Sequence, residues 1–224
     1  MRATWGFLSA AIVAVCLGTG GARAAEIEVK GRRIAFEKPP FAVTAPGELR
    51  LVHTAGFENP KEFSRTRVFF LVRDREKRVE EMFLVQIADR VSQEAGPIAA
   101  PALAPYAENR MYAKETLKKK DLPVEWMVQA MAWNPEAPSL QPIVKKGLTI
   151  PARWALQGQL LFVWEGEHAV LIRYSRDAGT FGLKVSEEGD RWNRDRLSGN
   201  ERKAYEAFLK GFRETLDSVQ IRTP

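Results

Sequence analysis

Apolar residues in this chain gather into dense blocks separated by charged or proline-containing breaks, and the period within each block predicts its element. Glu26-Ile27-Glu28-Val29 and Arg33-Ile34-Ala35-Phe36 alternate polar with apolar around Gly31, the pattern of two short strands joined by a tight turn. Phe41 to Thr44 and Leu49 to Val52 add two strand-like pieces on either side of Pro46-Gly47, a turn dipeptide. The strongest β signal is Thr66 to Val72, followed by the charged turn Asp74 to Lys77 and the return strand Val79 to Ile87. In both strands of this hairpin the central residues are apolar at odd and even positions alike. Because side chains alternate across a strand, both faces of the resulting sheet need cover. A second hairpin repeats the arrangement, Leu160 to Trp164 returning through Ala169 to Tyr174 after the turn Glu165-Gly166-Glu167.

Helices are expected in three further places. Ser198 precedes Glu201 by three residues, a capping box, and Ala204, Phe208, Phe212 and Leu216 then recur every four residues, which predicts a closing helix with one buried stripe. Asp121 is the expected cap of another helix through Val124, Trp126, Met127, Ala130 and Met131, with Trp126 and Trp133 seven residues apart and so on one side of it. Tyr106 to Lys120 reads as a third. Ala95 to Pro105, rich in alanine and proline, reads as an irregular connection and as a candidate rim of a site. The expected architecture is α+β: a predominantly antiparallel sheet flanked by helices, an α/β/α sandwich.

The first block belongs to a different category. Arg2, the apolar run Trp5 to Leu17 and the small-residue sequence Ala22-Arg23-Ala24 together have the form of a secretory signal with its cleavage site. About 13 apolar residues fall short of the roughly 20 needed to span a bilayer. Residues 1–24 are therefore expected to be removed, leaving residues 25–224 as one domain without stable membrane insertion, exported to the periplasm or, alternatively, to the medium. The only cysteine, Cys16, lies in that run, so the mature chain is cysteine-free and must rely on packing. Without Arg2 and Arg23 the charge is 32 basic against 28 acidic residues, near +4. Basic residues cluster around Lys118 and at Lys145-Lys146, candidate contacts for an anionic surface or acidic partner, although a solvated surface accounts for them as well. No nucleic-acid module is legible.

The order of these elements, with the entry segment Phe41-Ala42-Val43-Thr44-Ala45-Pro46 and the tail Leu216-Asp217-Ser218-Val219-Gln220-Ile221, resembles the PsbP-like and DcrB-like proteins over roughly Phe41 to Ile221. The resemblance implies an antiparallel sheet sandwiched by helices and an accessory, non-enzymatic role beyond a membrane; it transfers no functional residue.

No catalytic pattern is legible along the mature chain. His53 and His168 have no partner pattern, there is no G-x-S-x-G or H-E-x-x-H sequence, and cysteine-based zinc or haem attachment is impossible. Asp190 and Glu201 have the outer spacing of a calcium loop, but Trp192 and Asp195 occupy positions that need an oxygen ligand and a glycine. No catalytic residue, cofactor or metal is expected. The aromatic residues Trp126 and Trp133 are the candidate ligand contacts and Lys118 and Lys145 the candidate partner contacts. The expected function is thus an exported binding or accessory protein engaging a protein or envelope component, with a small-ligand or lipid carrier as the alternative.

Overall fold

The strand Ser64–Arg75 (β5) turns back through Glu76 and Lys77, both at positive φ (51° and 66°), into Arg78–Arg90 (β6). Two left-handed residues in succession match the twist of the flanking strands, which is what a tight hairpin requires. Outside this hairpin lies Arg50–Asn59 (β4), antiparallel to β5, so β4, β5 and β6 form one meander. A second meander comprises Met111–Lys119 (β7), Leu122–Ala132 (β8), Trp154–Trp164 (β9) and His168–Asp177 (β10). The two are joined where β10 pairs antiparallel with β6, in the register Val85 to Ile172 and Leu84 to Arg173. The result is a seven-stranded sheet in the order β4-β5-β6-β10-β9-β8-β7. In this computed structural model the described residues are 27–60, 63–99, 102–183 and 192–221, so residues 1–24, expected to be a signal sequence, lie outside them, as does most of the charged stretch before Trp192.

The remaining strands, Ile27–Lys30 (β1), Arg33–Phe36 (β2), Phe41–Thr44 (β3) and Gln220–Ile221 (β11), form a small antiparallel sheet in the order β1-β2-β3-β11. It shares one face of the large sheet with the closing helix. On that helix face Phe69, Leu71, Phe83, Val85, Trp126, Leu160, Phe162 and Ile172 pack against Phe36 and Phe41 from the small sheet and Phe208 and Phe212 from the helix. Phe36 stacks on Phe41 at 4.6 Å, and Phe208 stacks on Tyr174 at 5.4 Å.

The opposite face has no long helix among the described residues. Its cover is irregular chain: Trp133, the one-turn helix Gln141–Val144 (α1), Leu148 and Ile150 over Val68, Phe70, Met82 and Leu84, with Ile98 and Leu103 from the preceding connection over Ala88 and Met127. We call it the loop face.

The expected α/β/α sandwich is therefore corrected. The protein is mostly β, two antiparallel sheets of four and seven strands, with a long helix on one face only. Both helices expected between the hairpins are strands: the segment capped by Asp121 is β8, and Tyr106 to Lys120 is a 3-10 turn at Glu108–Arg110 followed by β7. The physical reason is that β8 is an interior strand covered on both faces. Val124, Trp126, Val128 and Ala130 join the core beneath the helix while Met127 is buried on the loop face, so apolar residues occupy successive positions and a helical stripe can be traced through them. The helices that contributed to the likeness with PsbP-like proteins are absent from that part of the chain.

The closing helix, Gly199–Ser218 (α2), forms where the capping box places it. Glu201 N donates to Ser198 Oγ at 3.3 Å, and Ser198 N donates to Glu201 Oε2 at 2.8 Å. Ala204, Phe208, Phe212 and Leu216 are all buried. At the other end Thr44 N donates to Ser218 Oγ at 2.7 Å, tying the last helical residue to β3. Replacing Ser198 by alanine should cost about 1 kcal/mol of stability, read as a lower urea midpoint at unchanged slope. An unchanged midpoint would mean that the cap contributes nothing to global stability.

Candidate ligand-binding cavity

Three neighbouring strands with apolar centres carry polar side chains at the same level of the loop face. Sheet register sets Gln129 on β8 opposite Gln157 on β9, and Gln157 opposite Ser175 on β10; one row along, Gln159 on β9 stands opposite Arg173 on β10. Gln129, Gln157, Gln159 and Ser175 are buried. Buried amides must find partners or lose free energy, and these largely find one another. Gln159 Nε2 donates to Gln157 Oε1 at 2.8 Å, and Gln129 Nε2 donates to the same oxygen at 3.0 Å. Gln157 Nε2 donates to Ser175 Oγ at 3.1 Å, and the backbone N–H of Tyr106 donates to Gln129 Oε1.

Above this polar floor lies a cavity of about 750 Å³. Val68, Met82 and Leu84 from β5 and β6 form one wall; Met131, Trp133 and Leu140 form the other; Gln86, Gln157, Arg173 and Ser175 reach it from the sheet. Tyr106, 56% exposed, stands at the mouth, with Asn134 and Glu136 exposed on the rim. The cavity exists because the cover here is a loop. The chain from Trp133 to Ala152 leaves β8 and returns to β9, crossing the sheet without filling the space above its polar rows.

Arg173 is the unusual member. Its Nε is buried without a hydrogen-bond partner, and no carboxylate among the described residues forms an ion pair with it. The side chain is half-buried and lines the cavity. Burial, with no opposing charge, holds the guanidinium below its ordinary pKa, although arginine remains charged across the physiological range.

A second cleft of about 640 Å³ at the end of the sheet provides the contrast. It too is rich in arginine, yet each guanidinium there meets an acid. Arg73 reaches Glu81 at 2.6 Å, Arg75 reaches Glu80 at 3.2 Å, Arg78 lies 3.6 Å from Asp177, Arg153 pairs with Asp177, and Arg176 lies 3.7 Å from Glu81. Each of those five arginines has an acid within 4 Å, the set sharing Glu80, Glu81 and Asp177, whereas Arg173 has none among the described residues.

The residues singled out in the sequence are dispersed. Trp133 is in the cavity wall, but Trp126 is in the core under the helix, 6.4 Å from Phe212, because seven residues along a strand reverse the face. Lys118 is exposed on the edge strand β7, and Lys145 is exposed just after α1; neither lines the cavity. Of its neighbours in the basic run, Lys114 is held by Glu125 at 2.9 Å, and Lys119 Nζ donates to the Asp217 carbonyl at 3.0 Å. His168 Nδ1 lies 2.7 Å from Asp89, and His53 has its pKa lowered by burial and by nearby Lys146. Among the described residues no group of three or more histidine, cysteine or acidic side chains could hold a metal ion.

The cavity floor had a signal in the sequence: Gln157-Gly158-Gln159 sets polar residues at alternate positions of a strand otherwise apolar on both faces. Their convergence with Gln129, Arg173 and Ser175 depends on a register that pairs residues far apart in the chain.

No family model matches this chain, and no curated protein matches it. Among solved structures, a crystal structure at 1.50 Å resolution from Bacteroides thetaiotaomicron VPI-5482 is similar at 9% identity, with a TM-score of 0.35. The match covers 87% of this chain and 50% of that one, so the chain spans about half the length of its structural neighbour, and the likeness is too slight to bear on fold or function.

Proposed function

We propose that this is an exported, non-enzymatic binding protein of the cell envelope whose role is to hold a small ligand in the loop-face cavity. The cavity carries the reading. Its volume falls within the roughly 300–1,000 Å³ typical of small-molecule sites, and its composition, apolar walls around a few convergent polar groups, is the usual one for such sites. The lining includes Ser139 and Ser175 but neither histidine nor lysine to activate them, so its polar groups are better suited to orienting a ligand than to transforming it. Export rests on the signal-like residues 1–24, and the cysteine-free mature sequence is compatible with either side of the envelope.

Native mass spectrometry of the protein isolated from the envelope without organic extraction tests this. One small-molecule mass per chain is expected, absent from an Ala137→Trp variant in which an indole fills the space beside Trp133. A bare protein mass after incubation with total envelope extract would overturn the carrier reading. A stoichiometric protein partner in its place would support an accessory role, for which exposed Lys118 and Lys145 remain the candidate contacts.

A further inference from the structure

We propose that Arg173 anchors the carboxylate of a small amphipathic monocarboxylate whose apolar body lies against Val68, Met82, Leu84, Met131, Trp133 and Leu140. This deepens the carrier reading and rests on it. A half-buried charge without a counter-charge costs stability, and replacement of such a group by a well-packed apolar residue is commonly neutral or stabilising. Every arginine of the second cleft lies within 4 Å of a carboxylate of the chain itself, the five sharing Glu80, Glu81 and Asp177. Arg173 has none among the described residues, its Nε is buried without a partner, and the side chain lines a cavity large enough for a ligand.

The rest of the floor selects the class of anion. Gln86, Gln157 and Ser175 are neutral, so among the described residues Arg173 is the only cation lining the cavity, and one negative charge is what it can balance. A phosphate monoester carries up to two negative charges at neutral pH; its second charge would be left uncompensated at low dielectric. The planar guanidinium also matches a carboxylate in bidentate geometry. Glu136, the one acid in the lining, is exposed at the rim, where solvent screens it from a bound anion. The apolar walls give an acyl or aryl body surface to bury and disfavour a small hydrophilic acid.

The test is titration calorimetry of the purified protein with octanoate, 1-octanol and octyl phosphate. Octanoate is expected to bind one per chain and more tightly than either analogue. Arg173→Met should weaken octanoate at least tenfold while leaving octanol within about twofold, and Arg173→Lys should recover part of the loss, since it restores the charge without the fork. The ligand-free Arg173→Met protein should also melt higher than wild type. A guanidinium retained only to support the fold would give the opposite shift, a lower melting temperature, so that result would overturn the proposal. Equal affinity of Arg173→Met and wild type for octanoate would overturn it as well, as would a preference for octyl phosphate. If octanol binds in the cavity without any preference for the carboxylate, the anion assignment fails while the carrier reading stands. If none of the three binds and native mass spectrometry finds only bare protein, both fail.

Discussion

Phe212→Ala should cost about 3–5 kcal/mol, the range for deleting a fully buried aromatic ring that leaves a cavity behind. Phe212 is completely buried, stacks near Phe208 at 6.2 Å and sits directly above Gly158 on β9. A methyl group added at Gly158 would come within 2.4–2.6 Å of the Phe212 ring carbons, closer than any real contact. The glycine is thus a notch in the sheet that lets α2 approach, and φ freedom plays no part in the choice. Gly158→Ala should accordingly cost about 1–3 kcal/mol by overpacking. A double-mutant cycle makes the claim specific. Adding Phe212→Leu should relieve part of the Gly158→Ala penalty, because the two residues occupy the same space, and the coupling should fall in the range of about 0.5–3 kcal/mol seen for residues in contact. Urea denaturation of the four proteins measures it. Additive effects would show that the helix is not seated on that notch.

The same pair separates what could be read from the sequence and what could not. The four-residue spacing of Ala204, Phe208, Phe212 and Leu216 behind a capping box is a local signal, and α2 forms accordingly. The hairpins of β5 with β6 and of β9 with β10 were likewise legible, since runs of apolar residues on either side of a charged or glycine turn need no knowledge of distant chain. The helix's docking site was not legible, because Gly158 acquires its meaning only from a residue more than fifty positions away.

The error over β7 and β8 has another origin. An amphipathic helix and a strand buried on both faces can share a block of apolar residues, and Val124 to Met131 is such a block. Treating it as helical placed Trp126 and Trp133 on one side, whereas the strand sends them to opposite sides of the sheet. The loop face was the least legible part. Leu140, Ile143, Leu148 and Ile150 are all buried, yet they occur in chain whose only helix is four residues long, so no repeat marks them as core. An irregular cover is also what leaves room for a cavity. Among the cavity's polar residues, Arg173 falls inside the return strand expected from Ala169 to Tyr174, but nothing local marks it as a cavity residue: β10 continues for four residues beyond it, and both Tyr174 and Ser175 are buried.

Asp89→Ala should be comparably damaging, about 3–5 kcal/mol, because it leaves a buried cation without its principal counter-charge. Asp89 is 5% exposed on β6 and accepts from Arg67 Nε at 2.8 Å and from the other arm of that guanidinium at 2.9 Å, while His168 Nδ1 lies 2.7 Å away. Arg67 keeps its bond to the Lys38 carbonyl, which should hold the loss toward the lower end of the range. The cost should depend on pH in a defined direction. Burial by itself would raise the Asp89 pKa, but the hydrogen bonds from His168 and Arg67 outweigh it, and the net shift is downward. A carboxyl whose pKa is lower in the folded than in the unfolded chain stabilises the fold fully above its unfolded value, about 3.9, and loses that contribution as the pH falls through the folded value. The stability difference between wild type and Asp89→Asn, an isostere without the charge, should therefore be constant near neutrality and shrink below about pH 4. Urea midpoints measured from pH 7 down to pH 3 decide the matter. A difference that grows on acidification would mean that Asp89 is protonated more readily in the folded protein, so that burial outweighs the clamp formed by Arg67 and His168.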